Sequence, residues 1–234
     1  MKSQDILLLF KLISLEERLH GDVDKTIRLS SFPADKSQEP TILGGFIIHV
    51  AKRVDVYFPE TLNWQGWDQE LASNKAVSPD SYTVRSLAQS LSMSKSEVAN
   101  SLTRSREIGL VTLGHESGLP IVNKRALLDI VTHAIKYIFP VKPGAVVRGI
   151  PTAFAAPILE GRLRSGGDMI PVWPDPQGNK KGQAIAPIYK TVPEAVKRDY
   201  LLYHYLALVD AIRLGSSRES AEANQLLRKW ILHE

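Results

Sequence analysis

The stretch Tyr82 to Val111, YTVRSLAQSLSMSKSEVANSLTRSREIGLV, constrains this chain most, because it holds two helix patterns separated by one short interruption. Thr83 is a good N-cap, and Val84, Leu87, Ala88 and Leu91 follow at spacings of three and four, which puts them on one apolar face that must be buried. Ser92-Met93-Ser94 breaks the pattern. Ser94-Lys95-Ser96-Glu97 then has the form of a capping box, in which the Ser94 hydroxyl accepts the Glu97 amide and the Glu97 carboxylate accepts the Ser94 amide. A second helix is therefore predicted from Lys95, with Val98, Leu102, Ser105 and Ile108 inward. Lys95, Ser96, Ala99, Asn100, Thr103 and Arg104 are left outward or flanking.

Gly109-Leu110-Val111 closes this helix, and the apolar runs Leu110 to Leu113 and Leu119 to Val122 flank the turn-prone Gly114-His115-Glu116-Ser117-Gly118. Two such runs around a turn predict a two-stranded hairpin. Helix, turn, helix, hairpin is the order of a winged helix. Leu87-Ala88, Ser94, Val98 and Gly109-Leu110-Val111 resemble the corresponding pattern of MarR-like and other winged-helix transcription regulators over about residues 82–123. Many members of that family carry Arg where this chain has Asn100 and Leu where it has Ser105, so the family's base preference does not transfer. The resemblance implies double-stranded DNA as partner, with the helix 95–107 in the major groove and the wing 110–122 on the backbone. Small, polar and basic side chains suit groove entry. Ser96, Asn100 and Thr103 are the expected base readers, Asn being able to make a bidentate contact to adenine. Phosphate anchoring is expected from Arg85, Ser94, Lys95, Arg104, His115 and Arg125.

Composition permits this without requiring it. The 234 residues carry a formal charge of +4, and the 44% hydrophobic content is that of an ordinary globular chain. Between Tyr82 and Val111 four cations, Arg85, Lys95, Arg104 and Arg106, stand against Glu97 and Glu107. Cysteine is absent, which rules out disulfides, Cys-ligated zinc and thiol chemistry and fits a cytoplasmic location. The run Ile6-Leu7-Leu8-Leu9-Phe10 is too short for a signal h-region, and no stretch of about 18 apolar residues predicts a membrane span. The six histidines lack metal-ligand spacing, and there is no nucleophile elbow, dinucleotide fingerprint or phosphate loop. No metal, no cofactor and no enzymatic activity are expected.

Ser3 to Leu19 is predicted as a helix with Ile6, Leu7, Phe10, Ile13 and Ser14 on one side and Leu8, Leu9, Leu12 and Leu15 on an adjacent stripe. Apolar on two sides, it is expected to pack within the domain or across a homodimer. A polar connection follows to Pro40, then a helix over Thr41 to Phe58, with a strand at Val54, Val56 and Phe58 as the alternative, then Trp64 and Trp67, able to stack on a base or ligand but ordinarily buried. Asn123 is expected to cap a helix running to Phe139 that Pro140 ends, with Lys124 and Arg125 placed for phosphate. Beyond it, Gly and Pro prevent long helices over 141–182; short strands are expected at Ile170 to Trp173 and Ala184 to Tyr189, around a loop with a basic tip. Arg148 to Thr152 is expected to be a packed connector. A helical hairpin closes the chain, one helix led by Pro193, a stop at Gly215, and a second helix after the capping box Ser216-Ser217-Arg218-Glu219, with Asp210, Arg213, Arg218 and Glu219 as a surface ion-pair set.

The expected fold is thus mainly α with small β elements: a winged helix-turn-helix domain over 1–139 with an insertion at about 20–81, and a C-terminal region, 140–234, of loops, short strands and a helical hairpin. The alternative is a winged helix used as a protein-interaction module, an adaptor or the antitoxin-like partner of an enzyme, with the C-terminal region supplying the partner surface.

Overall fold

A computed structural model describes residues 1–19, 77–159 and 169–233, together with a short strand pair at 42–43 and 46–47. These residues are mainly helical, with three small sheets. The polar connection before Pro40, the Trp64 and Trp67 pair and most of the helix expected over 41–58 lie outside the described residues. That helix's first turns are corrected: Ile42–Leu43 (β1) runs antiparallel to Phe46–Ile47 (β2), with Ile42 opposite Ile47.

The first helix, α1 (Ser3–Leu19), is covered on nearly every side, every residue from Asp5 to Leu15 being buried. Its neighbours belong to the same chain: Val84–Leu91 (α2), Lys95–Glu107 (α3), Pro120–Val122 (β4) and Tyr200–Leu214 (α7). The two apolar stripes are therefore satisfied internally, and α1 gives no reason for a dimer.

α2 and α3 form as their caps predict. Thr83 Oγ1 accepts the Ser86 amide at 3.2 Å, Ser92 takes the left-handed conformation that ends α2, and Ser94 and Glu97 exchange their bonds at 3.1 and 3.0 Å. After α3, Gly109 adopts φ +73°, a conformation open to glycine, and Val111–Leu113 (β3) pairs antiparallel with β4, Val111 opposite Val122. One inward position is corrected. Ile108 is the C-cap of α3, has left the helical path and is half exposed, while Ser101 takes a buried place facing α1.

Asn123 caps the next helix by accepting the Ala126 amide at 3.1 Å. The single helix expected to Phe139 is two, Lys124–His133 (α4) and Ile135–Ile138 (α5), divided at Ala134. Val146–Pro151 (β5) then runs antiparallel to both Pro171–Pro174 (β6) and Lys180–Ala184 (β7), which are parallel where they meet, so the three strands close on themselves. Two expectations change here. The stretch around Arg148 is strand, and β7 lies inside the supposed basic-tipped loop instead of at 184–189. Gly182 explains the shift, since a Cβ there would sit 2.1 Å from the Ile170 carbonyl oxygen.

Pro193 opens a short helix, Val192–Val196 (α6), and α7 starts afresh because Asp199 caps it through the Leu202 amide at 3.1 Å. Gly215 ends α7, and the Ser216–Glu219 capping box opens Ser217–Leu232 (α8) as expected. Asp210 and Arg213 do not lie on the surface. Both are buried, with Asp210 accepting from Arg213 Nη1 at 2.5 Å, Trp173 Nε1 at 2.6 Å and Thr152 Oγ1 at 3.1 Å. The hydrophobic core is continuous from α1 to α8. No helix among the described residues is long and apolar enough to cross a membrane.

Candidate nucleic-acid interface

Ser96, Asn100 and Thr103 fall at spacings of four and three, hence on one face of α3, and all three are exposed. Lys95 and Ala99 are exposed beside them, and Arg85 is exposed on α2. Ser94 is exposed too, with its hydroxyl already engaged as the cap. His115 sits in the hairpin turn that the Gly114 amide and Leu119 carbonyl close at 2.8 Å, and Arg125 is exposed in the first turn of α4.

The expected phosphate set loses members to the interior. Arg104 is tied to α1: its Nη2 and Nε meet the two carboxylate oxygens of Asp5 at 2.6 and 3.2 Å. Ser101 donates to the same carboxylate at 2.6 Å, as does the Lys2 amide. Burial alone would raise the Asp5 pKa, yet the bonds from Arg104, Ser101 and Lys2 hold it below the ordinary value. Arg104, on the flank of α3, and the buried Ser101 therefore tie α3 to α1. Lys124 likewise turns inward, to Glu16 at 3.0 Å and Glu17 at 2.9 Å. Replacing Arg104 by alanine leaves a buried carboxylate short of its main partner and is expected to cost about 1–3 kcal/mol of stability in a denaturant titration. An unchanged unfolding midpoint would show that the pair holds nothing.

Sequence reasoning also missed a brace from the C-terminal region. Tyr189 donates its hydroxyl to Glu97 Oε1 at 2.6 Å, and Arg198 Nη1 donates to the Gln89 carbonyl at 2.5 Å, with Ser92 Oγ at 3.4 Å. The Tyr189 bond and the Ser94 cap pull the Glu97 pKa down to about 2, while burial, with Glu97 beside it, pushes Tyr189 up to about 12. These partners are 92 and 109 residues apart, a separation at which no local pattern signals contact. The turn and the start of α3 are thus held by their own caps and by the 189–198 segment, and the later turns of α3 by α1.

What remains outward is a rigid helix presenting a hydroxyl, an amide and a hydroxyl in line, flanked by cations. Among the described residues no group of three or more His, Asp or Glu side chains converges to hold a metal ion. Comparison of the chain with protein-family models, curated proteins and solved structures gave no match.

Proposed function

We propose that this chain is a sequence-specific double-stranded DNA-binding protein, a transcriptional regulator of winged-helix type, with α3 in the major groove and the β3–β4 hairpin as the wing on the adjacent backbone. The observation that carries the reading is the row Ser96, Asn100 and Thr103, exposed and without an internal bond among the described residues, on a helix that Asp5 fixes through the buried Ser101 and the flanking Arg104. Immobilising the backbone of a reading helix lets its amide and hydroxyl groups meet base edges without an ordering cost at the moment of binding. Arg85 and Lys95 are the nearest phosphate anchors, with His115 on the wing and Arg125 at the start of α4.

Duplexes selected by the purified chain from a random pool should share a sequence. Asn100→Ala should cost about 1–3 kcal/mol on the selected sequence and leave affinity for scrambled duplex unchanged. A pool that yields no common sequence, or an Asn100→Ala variant that binds with parental preference, overturns the reading. A homodimer on a two-fold site is the accompanying expectation. Since α1 is covered, Tyr137, 81% exposed on α5, and the exposed Ile138 are the apolar side chains available for it. Sedimentation of the complex counts the copies, and one chain per selected site sinks the dimer.

A second reading, a winged helix docking on another protein, is favoured by the exposed Ile108, Leu113 and Ile121 on the end of α3 and the hairpin. It predicts a stoichiometric protein partner and no nucleic acid in material purified from the native source.

A further inference from the structure

We infer that the closed strand unit β5–β6–β7 carries a second contact for the phosphate backbone of the same duplex, outside the groove that α3 enters. The inference rests on the DNA-binding reading of α3. Arg148 on β5 and Lys181 on β7 are direct cross-strand partners, both exposed, and Lys180 follows opposite Gly149. Like charges placed opposite each other in an antiparallel pair destabilise it. Among the described residues none of these three side chains has a carboxylate or hydrogen-bond partner to offset that repulsion. Carboxylates stand close by, but they are used inward: Asp175 and Glu194 hold the buried Lys197 at 2.6 and 2.9 Å. The Asp175 amide bonds the Arg148 carbonyl at 3.2 Å, so the Arg148 backbone adjoins that ion pair while its side chain stays out of it. Nor can the basic side chains fold into the strand unit. Gly149, next to Arg148 on β5, is buried on the other face with a Cβ position 2.0 Å from the Trp173 carbonyl oxygen, whereas Arg148 and Lys181 share the face that is open to solvent.

Position and charge both tie this patch to α3. Arg198 bonds the end of α2, its neighbour Lys197 bonds Asp175, and Asp175 bonds Arg148, a run of adjoining contacts from the turn ahead of α3 to the basic strand pair. Meanwhile α3 itself is short of free positive charge. With Arg104 neutralised by Asp5, Lys95 and Arg106 stand against Glu107 and the already bonded Glu97. A protein that gains affinity from phosphates needs cations elsewhere, and the Arg148–Lys181 pair supplies them.

The test is the double variant Arg148→Gln with Lys181→Gln, titrated with a selected duplex over a range of salt. Each lost phosphate contact removes about 0.9 from the slope of log affinity against log salt, so a slope shallower by nearly two is expected. The ratio of selected to scrambled affinity should stay at the parental value, because these contacts carry no sequence information. The thermal midpoint should stay or rise as the cross-strand repulsion is relieved, which separates lost contact from lost fold. Arg148→Lys with Lys181→Arg should keep the parental slope. An unchanged slope in the Gln variant, while Asn100→Ala still relaxes sequence preference, overturns this inference and leaves the α3 reading standing. A parent that binds no duplex overturns both.

Discussion

Replacing Asp199 by alanine is expected to destabilise the protein by about 3–5 kcal/mol, the usual cost of stripping one partner from a buried ion pair. Asp199 is fully buried between α1 and α7. It accepts from Lys11 Nζ at 2.7 Å, from Ser14 Oγ at 2.6 and 2.8 Å, and from the Leu202 amide that starts α7. Burial alone would push its pKa up, but Lys11, Ser14 and the Leu202 amide together hold it below the ordinary 3.8. Without it, the Lys11 ammonium is stranded in the core and α7 loses its cap. Adding Lys11→Met removes the stranded charge while keeping the stem's packing, so the double variant should recover much of the loss in a urea titration. A single variant within about 1 kcal/mol of the parent would mean that the pair is not holding α1 to α7.

The second large effect is acid lability above the range in which carboxylates titrate. His204 lies among Tyr200, Tyr203 and Trp230, at ring separations of 5.9, 5.2 and 5.7 Å, and its Nδ1 has no hydrogen-bond partner among the described residues. Burial pushes its pKa from the ordinary 6.5 down to about 4. As pH falls below 6.5 the unfolded chain takes up a proton that the folded chain refuses, so stability is full above 6.5 and declines until about pH 4. At 1.36 kcal/mol for each unit, the loss across that window is about 3 kcal/mol. Asp5 and Asp199, with lowered pKa values, have the opposite place on the pH axis: their contribution stays intact through the window and is lost only below the carboxylate range. His204→Phe should therefore flatten the profile between pH 6.5 and 4 and leave the steeper fall beneath it. A parental slope in the Phe variant would locate the effect elsewhere.

Local chemistry was legible in the sequence and long-range chemistry was not. The caps at Thr83, Ser94, Asn123 and Ser216 and the hairpin after Gly109 depend on residues a few positions apart, and they form as expected. So does the exposure of Ser96, Asn100 and Thr103, because the apolar period of α3 dictates which side is outward. Arg104 defeats that logic. Its position is flanking, and only the arrival of Asp5 from 99 residues away decides that it faces in. The same holds for Lys124 with Glu17, and for Asp210 with Trp173 and Thr152, where a charged helix residue looks like a surface group until its partners are known. The strands of the C-terminal region failed for a different reason. β7 reads KKGQA, a sequence with no apolar alternation, and it is a strand because closure around Gly149 and Gly182 makes room for it.

The bond between Lys11 and Asp199 joins residues 188 apart, and α1 is apolar on the sides that α7 covers. On a ribosome adding about 5–20 residues per second, α1 emerges and then waits about 10–40 s for the element that shields it. Made well before its cover, this helix is finished late, so this protein is most exposed to misassociation during its own synthesis. Its yield in a cell should follow how well nascent chains are guarded as much as how stable the finished fold is.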